Sequence, residues 1–368
     1  MQFGLSESQE ILKDTARKFF AGECPIGEVR RLMETPTAHD AALWSKMAEQ
    51  GYTGIIFPED LGGVGLGTVE LILLMEEAGR ALLPGPLFST VALAGAVLNS
   101  TASPEQMKKY LAPICHGQAR STLAMLEASA SWDPADARIE TAAGKLTGEK
   151  LFVPDAAVAD SIVVVARDGA YIADSKATGI KIAPMSGMDL TRKLYSVQFK
   201  NTPAEKLANP SGLARGLDIA AAALSAELVG GMQRCLDLAV EYAKMRKQFG
   251  KPIGTYQAVQ HQCADMYLET ESARSAAYYA AWALQENIPD AAVAVSIAKM
   301  YASDAGRTVG NRAIQIHGGM GFTWENDLHL YYRRAKASET ALGDATFHRE
   351  RIARAVIDAG AKSAKSAK

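Results

Sequence analysis

Two short stretches contain the side chains best suited to bind an organic cofactor. The first, at 244–265, reads KMRKQFGKPIGTYQAVQHQCAD, in which a cation, an amide and an aromatic ring precede a Gly/Pro break. The planar guanidinium of Arg246 can clamp a phosphate, and Phe249 can lie against a ring. Gln248 stands between them, and Gln257 opens the next predicted helix. A plain corner of a helical bundle, with Arg246 solvated and Phe249 in the core, is the alternative interpretation.

The second stretch, QIHGGMG at 315–321, is built around paired glycines. Gln315 precedes Gly318 and Gly319, which lack the Cβ that keeps a ligand away from the backbone. Such a loop can admit a ligand closely. The alternative is an ordinary helix C-cap, for which glycine is also the preferred residue.

Other common chemistries are excluded by missing motifs. The six histidines form no HExxH pair and no Cys/His cluster, so no metal site is expected. No GxSxG elbow, no GxxxxGK[ST] loop and no GxGxxG after a strand occurs, which excludes the α/β-hydrolase, P-loop and Rossmann classes. The cysteines are too widely spaced for a redox or zinc motif and are expected to be reduced core residues: Cys24, Cys115, Cys235 and Cys263.

The net charge and the hydropathy of the chain indicate no macromolecular partner. The 39 basic residues against 41 acidic ones give a net charge of −2, so neither nucleic acid nor an anionic membrane is expected to bind. The N-terminal stretch 1–13 carries Glu7 and Glu10 where a signal peptide would be basic and then apolar. We therefore expect a cytoplasmic protein. The Lys/Ala/Ser repeat at 359–368 is expected to be a frayed helix end or a disordered tail.

These stretches are positioned by a chain whose apolar spacing changes twice. Residues 1–118 show helical spacing, with helices expected around 39–50, 68–82 and 104–115. Short β-branched runs then predict strands at 121–126, 137–141, 150–153, 161–167 and 194–199. Helical spacing returns from about 211, with one long helix to about 242 and others at 257–286, 290–316 and 338–359. The predicted fold is mainly α with a central β-domain: an N-terminal α-helical domain at 1–118, a middle β-domain at 119–205 and a C-terminal helical bundle at 206–368.

With these residues in view, the chain resembles the acyl-CoA dehydrogenase family over nearly its whole length. The pattern RKQFGKPIG…Q…ADM at 246–266 and the segment QIHGGMGFTWENDLHLYYRRAK at 315–336 carry the resemblance, and PEDLGGVGLG at 58–67 supports it. The resemblance implies an N-terminal helical domain, a central β-barrel and a C-terminal four-helix bundle, assembled as a dimer or a dimer of dimers.

The resemblance also implies an activity and its cofactor. In that family a glutamate removes the α-proton of an acyl-CoA thioester while the β-hydrogen leaves as hydride to FAD. Electrons then pass to an electron-transfer flavoprotein. The two positions that the family uses for the glutamate fall on Leu342 and Ala220 in this sequence, and a neighbouring arginine that often assists falls on Ala221. None of these side chains can transfer a proton, so the catalytic base is unknown.

The segment expected to face the flavin ring is also altered. Relatives read roughly T-E-P-x-x-G-S where 126–132 here reads LEASASW, and Pro154 stands where a hydroxyl is expected. The residues that the family extends toward the ADP part of a neighbouring subunit's FAD are all present: Arg246, Gln248, Phe249, Gln257, Gln315, Gly318 and Gly319. This combination resembles the subunits of heteromeric bacterial acyl-CoA dehydrogenases that lack the catalytic glutamate.

Three hypotheses follow. The first is a subunit of an FAD-dependent acyl-CoA dehydrogenase whose homologous partner supplies the glutamate. The second is a self-sufficient homotetrameric dehydrogenase with a relocated base, for which Glu227 and Asp344 are the nearest acids; Glu227 can instead be a bundle-core acid and Asp344 a helix cap. The third is a flavin-free scaffold or binding protein on the same fold.

Overall fold

A computed structural model describes residues 4–358, so the predicted tail at 359–368 lies outside the described part of the chain. The described chain is mostly helical, as expected. Its α-helices are α1 (Glu7–Glu23), α2 (Ile26–Met33), α3 (Ala41–Glu49), α4 (Thr68–Arg80), α5 (Ala96–Thr101), α6 (Pro104–Tyr110), α7 (Ala112–Cys115), α8 (Leu213–Met245), α9 (Gln257–Gln285), α10 (Ala291–His317), α11 (Leu328–Thr340) and α12 (Ala345–Ala353). Within 4–358, no helix has the length and apolar character needed to cross a bilayer.

The strands form two four-stranded sheets and one small hairpin. They are β1 (Ser121–Ala124), β2 (Glu140–Ala142), β3 (Lys145–Pro154), β4 (Ser161–Ala166), β5 (Gly169–Asp174), β6 (Ile180–Met185), β7 (Leu194–Pro203), β8 (Glu205–Lys206), β9 (Lys247–Gln248) and β10 (Lys251–Pro252). One sheet has the order β1-β4-β5-β8, the other β2-β3-β7-β6, and β9 pairs with β10. No strand was predicted at β5 or β6, nor at the two-residue strands β8, β9 and β10.

The two large sheets are open, so the predicted closed barrel is not confirmed. The edge strand β8 contributes only two paired residues, and β2 only three, which leaves little ladder on which a barrel could close. The sheets instead share one apolar core, to which Leu146 and Val153 of β3 and Val164 of β4 contribute fully buried side chains.

The described chain divides into two compact units that do not follow the sequence order. One contains residues 4–22, 72–82 and 221–358, and the other contains 23–71 and 83–220. The first unit holds α4 and most of the long C-terminal helices, and the second holds both four-stranded sheets. The three-domain boundaries at 118 and 205 remain a prediction.

Helices α4 and α8 pack with their backbones in contact. A Cβ added to Gly230 would lie 1.8 Å from the carbonyl oxygen of Glu76, and one added to Gly79 would lie 2.0 Å from that of Glu227. Only glycine is compatible with so close an approach. The two helices are thereby fixed against each other at two reciprocal points.

The last predicted helix, at 338–359, is in fact two helices with a break between them. Helix α11 ends at Thr340 and α12 begins at Ala345. Leu342 and Gly343 both have positive φ, at 58° and 97°, which no α-helix accommodates. The apolar spacing does not reveal this break because it continues on both sides of it.

Candidate functional site

The first predicted binding stretch forms a tight hairpin after α8. Gln248 of β9 pairs with Lys251 of β10, and the two residues between them, Phe249 and Gly250, have φ of 51° and 82°. Two positive φ values are what a two-residue type I′ turn requires. Phe249 is 93% exposed, so the alternative interpretation that placed it in the core is wrong. We call residues 246–253 the hairpin.

Contacts at the base of the hairpin hold it in place. The Arg246 carbonyl accepts the N–H of Ile253 at 2.8 Å. The hydroxyl of Tyr256 donates to the Gln248 carbonyl at 3.3 Å, and the Lys251 ammonium lies 4.4 Å from the centroid of the Tyr256 ring. The side chains of Arg246 and Gln248 remain exposed, as does Gln257 at the first position of α9.

The second predicted stretch forms the end of α10 and the turn that follows it. Gly318 caps the helix with φ of 60°, and its N–H points to the carbonyls of Ile314 and Gln315. A Cβ added at Gly318 or Gly319 would meet no atom within 4 Å. The C-cap interpretation is thus correct, and the open space around both glycines also leaves the backbone accessible. We call residues 318–322 the glycine loop.

An aromatic stack brings these two segments together. The rings of Tyr242 on α8 and His317 on α10 lie 4.4 Å apart between centroids, with an interplanar angle of 21°. Tyr242 precedes Arg246 by one helical turn, and His317 directly precedes Gly318. All seven predicted binding residues have exposed side chains or backbone, and all lie in the same compact unit.

Exposed apolar side chains accompany the polar ones in both segments. Phe322 of the glycine loop is 77% exposed, and Met245 beside the hairpin is 72% exposed. Large apolar groups grouped on a surface mark a binding or assembly site. The arrangement therefore offers cations, amides, accessible backbone and apolar contacts on one surface, which suits a nucleotide-containing cofactor together with a protein partner.

Comparison with known proteins decides the family. The acyl-CoA dehydrogenase N-terminal domain matches residues 6–118, and the acyl-CoA dehydrogenase C-terminal domain matches residues 213–357. The chain is 35% identical over 337 residues to acyl-CoA dehydrogenase IpdE2 of Mycobacterium tuberculosis, covering 91% of this chain and 93% of that one. This chain belongs to the acyl-CoA dehydrogenase family.

Solved structures agree with this assignment. A variant of the steroid ACAD Tcur3481-Tcur3483 superimposes with a TM-score of 0.89 at 30% identity, over 96% of this chain and 99% of that one. The ChsE4-ChsE5 complex of Mycobacterium tuberculosis gives a TM-score of 0.88 at 26% identity, over 96% and 98%. PigA, solved with FAD and proline, gives 0.88 at 25% identity, over 97% and 99%. The predicted membership of an acyl-CoA-oxidising family is confirmed.

The two positions predicted for the family's catalytic glutamate carry no acid. Leu342 lies in the break between α11 and α12 with its side chain buried, and Ala220 on α8 is 0% exposed. Ala221 beside it is also buried. Neither position can supply or receive a proton.

The two acids that the second hypothesis offers as a relocated base, Glu227 and Asp344, are already engaged. The Glu227 carboxylate accepts from Arg334 Nη1 at 2.8 Å, and both side chains are buried inside the bundle. Asp344 caps α12 by accepting the N–H of Phe347 at 2.8 Å. The structure therefore supports the core-acid and helix-cap interpretations of these residues over a relocated base.

The segment at 126–132, which was predicted to face the flavin ring, contains one partner of an internal ion pair. Glu127 accepts from Lys150 Nζ at 2.7 Å and from the backbone N–H groups of Arg138 and Ile139. Burial acts to raise the pKa of Glu127, but the Lys150 ammonium and the N–H donors outweigh it and lower that pKa. The space beside Glu127 amounts to ≈ 10 Å³, about one water. The Glu127 carboxylate is an acceptor that is already bonded to Lys150 and to two backbone N–H groups, so it donates no hydrogen bond to a ligand. Pro154 has no N–H to donate either.

A larger cavity of ≈ 390 Å³ lies among charged residues of α1, α4, α8 and α9. Its cations face carboxylates: Glu76 accepts from Lys13 at 2.9 Å and from Arg274 at 3.1 Å. Glu77 accepts two bonds from Arg17. Because each lining cation is paired with a carboxylate, the network serves to tie the helices together.

One buried lysine near the Leu342 position was missed by the sequence analysis. Lys299 on α10 is 0% exposed, and its Nζ donates to Ser303 Oγ at 2.8 Å and to the carbonyls of Ser338, Glu339 and Gly343 at 3.0–3.2 Å. It thus holds the end of α11 and the break that follows. The available signal was a lysine on the apolar face of a predicted helix, where a charge is expected only if it is bound.

Proposed function

We propose that this chain is the subunit of a heteromeric, FAD-dependent acyl-CoA dehydrogenase that lacks the catalytic base. It acts beside a homologous chain that supplies the glutamate and holds most of the flavin. The observation that carries the proposal is the combination of Leu342 and Ala220 at the predicted base positions with the exposed side chains of Arg246 and Phe249 in the hairpin. Two similar proteins support it, because Tcur3481-Tcur3483 and the ChsE4-ChsE5 complex are each named as a pair of chains.

In this proposal the chain contributes binding and orientation. The exposed guanidinium of Arg246 neutralises phosphate charge, and the accessible backbone of Gly318 and Gly319 allows close approach of the nucleotide. The exposed ring of Phe249 offers an apolar face to the cofactor or the partner. When bound, FAD supplies the acceptor for the hydride that leaves the β-carbon of the acyl-CoA.

The proton goes elsewhere. The α-proton of the acyl-CoA passes to the carboxylate of the partner chain, because this chain has only Leu342 and Ala220 at those positions. The product is an enoyl-CoA, and an electron-transfer flavoprotein reoxidises the flavin. The substrate class is an acyl-CoA thioester; the steroid ACAD among the similar structures makes a polycyclic acyl-CoA the first substrate to compare with a straight-chain one.

The test is the flavin content of the chain with and without its partner. We expect no absorbance near about 450 nm from the chain purified alone, and about one FAD per two chains after co-expression with the homologous dehydrogenase. Arg246→Ala in the complex should release the flavin, whereas the exposed cation control Lys244→Ala should retain it. A full complement of flavin and ordinary turnover in the isolated chain would instead support the self-sufficient enzyme. Absence of flavin from every complex would support the scaffold hypothesis.

A further inference from the structure

We propose that Tyr242 and His317 are positioning residues that fix the glycine loop relative to the hairpin. The proposal deepens the function proposed above, since the two segments form the surface offered to FAD. It concerns two residues outside the seven predicted binding positions. Their role follows from where they lie: each is the last large aromatic side chain before one of the two segments.

Tyr242 fixes the hairpin through its backbone as well as through its ring. Its carbonyl accepts the N–H of Arg246 at 2.8 Å, in the final turn of α8. The Arg246 carbonyl then accepts from Ile253 and closes the hairpin. Any displacement of Tyr242 is therefore transmitted directly to the backbone that carries the Arg246 guanidinium.

His317 fixes the glycine loop in a comparable way. It is the last residue of α10, and a Cβ added to Gly321 would lie 3.2 Å from His317 Cβ and 3.0 Å from the Ile314 carbonyl oxygen. The loop thus folds back onto the histidine. The His317 ring is held by a hydrogen bond of 2.8 Å from Nδ1 to the Ala313 carbonyl oxygen. Because a carbonyl can only accept, Nδ1 carries the proton.

The stack between them is a contact of two neutral rings. His317 is buried, and that burial lowers its pKa, so the imidazole is uncharged at neutral pH. Two flat faces at 21° allow the rings little freedom to tilt, while a pair of aliphatic side chains would permit sliding. The stack therefore sets the separation between the hairpin and the glycine loop more sharply than ordinary core packing.

The first test measures that separation in the chain alone, without flavin. Spin labels are placed by Lys247→Cys and Met320→Cys in a Cys263→Ser background, because the other three native cysteines are buried. We expect one narrow distance distribution, which His317→Leu and Tyr242→Leu broaden and His317→Phe restores. An unchanged distance distribution in His317→Leu would overturn the proposal, and this result does not depend on whether the chain binds FAD.

The second test measures FAD affinity of the complex with the partner chain. We expect His317→Leu and Tyr242→Leu to weaken FAD binding by about 10-fold or more, and the double variant to cost no more than either single one. His317→Phe and Tyr242→Phe keep both rings and should stay within about 3-fold of the wild type. Tyr279→Leu, which breaks the Tyr279–Trp282 ring pair on α9, is the matched control and should not change affinity.

The outcomes separate this proposal from the function on which it rests. A fall in thermal stability with unchanged FAD affinity in His317→Leu would reduce the stack to core packing and overturn the positioning role. If the wild-type complex binds no FAD, or if Arg246→Ala leaves FAD affinity unchanged, the proposed function fails, and the label distances alone then decide whether the stack sets the loop.

Discussion

Glu227 of α8 and Arg334 of α11 form an ion pair of 2.8 Å in the interior of the bundle, with both side chains less than a tenth exposed. Glu227 is one of the two acids that the second hypothesis offers as a relocated catalytic base. Removal of one partner from a buried ion pair leaves an uncompensated charge, whereas removal of both partners does not. Comparison of the single and double variants of this pair therefore distinguishes a structural role of Glu227 from a catalytic one.

Glu227→Gln is expected to destabilise the chain by about 3–5 kcal/mol, because Arg334 then lacks its counter-charge. The double variant Glu227→Leu/Arg334→Met should be close to the wild type in the free energy of unfolding. Urea denaturation measures both, and turnover of the partner complex is recorded where each variant is folded. Loss of turnover with unchanged stability in Glu227→Gln would contradict the structural role and revive the hypothesis of a relocated base.

Lys299→Met removes the Nζ donor shared by the carbonyls of Ser338, Glu339 and Gly343, of which the first and last are buried contacts. Because each unsatisfied buried acceptor is costly, we expect a loss of at least about 3 kcal/mol in the free energy of unfolding. Lys336→Met is the matched control, since the Lys336 side chain is 30% exposed where it pairs with Glu339, and its loss should cost less than about 1 kcal/mol. Equal losses in the two variants would show that the Lys299 contacts contribute nothing beyond an ordinary surface pair.

His348 is expected to make the fold sensitive to acid. Burial, followed by the charges of Lys299 and Arg351, lowers the pKa of His348 to about 3, while an unfolded histidine titrates near 6.5. Between those pH values the unfolded chain binds a proton that the folded chain does not, so this contribution to stability is complete above about pH 6.5 and declines toward pH 3.

His348→Gln should therefore flatten the acid limb. Its amide can still donate to the Leu342 carbonyl, which accepts from His348 Nε2 at 3.0 Å. We expect the loss of unfolding free energy between pH 7 and 4.5 to shrink by about 2 kcal/mol relative to the wild type. The exposed His261→Gln serves as control, and an identical pH slope in His348→Gln and the wild type would refute the assignment.

Two glycines allow stability and cofactor binding to be separated. A Cβ at Gly343 would lie 2.3 Å from Phe347 Cδ1 at a φ of 97°, so Gly343→Ala should lower the melting temperature clearly. A Cβ at Gly319 meets nothing within 4 Å, so Gly319→Ala should leave the isolated chain within about 0.5 kcal/mol of the wild type. In the partner complex the same Gly319→Ala should weaken FAD binding, because it occupies the space left for the ligand. Unchanged flavin affinity there would exclude the glycine loop from the cofactor surface.

The helices were largely predictable because apolar spacing records which face is buried. The long run from Leu217 to Tyr242 indicated α8 nearly to its observed end at Met245. The break at Leu342 was not predictable, since a bulky residue at positive φ is sustained only by tertiary contacts such as those of Lys299 and His348. Whether the sheets close into a barrel could not be predicted from the sequence either. The alternation of apolar and polar residues indicates strands, but it does not show which edge strands pair.

For the candidate site, the sequence indicated the residue types but not their exposure. The hairpin residues have the composition of either a bundle corner or a binding surface, and only the structure, in which Phe249 is 93% exposed, shows that the ring turns outward. The stack of Tyr242 on His317 joins residues 75 positions apart, so no local pattern could reveal it.

The discontinuous unit that contains the glycine contacts has a consequence for synthesis on the ribosome. Helix α4 is almost entirely buried, and its close partner α8 follows more than 130 residues later in the chain. At about 5–20 residues per second, translation needs about 8–33 seconds to go from the end of α4 to the end of α8. The order of translation therefore lets residues 83–220 fold while α1 and α4 still lack the helices on which they pack. A chaperone that protects the chain during that interval would bind α4, which is more apolar than α1.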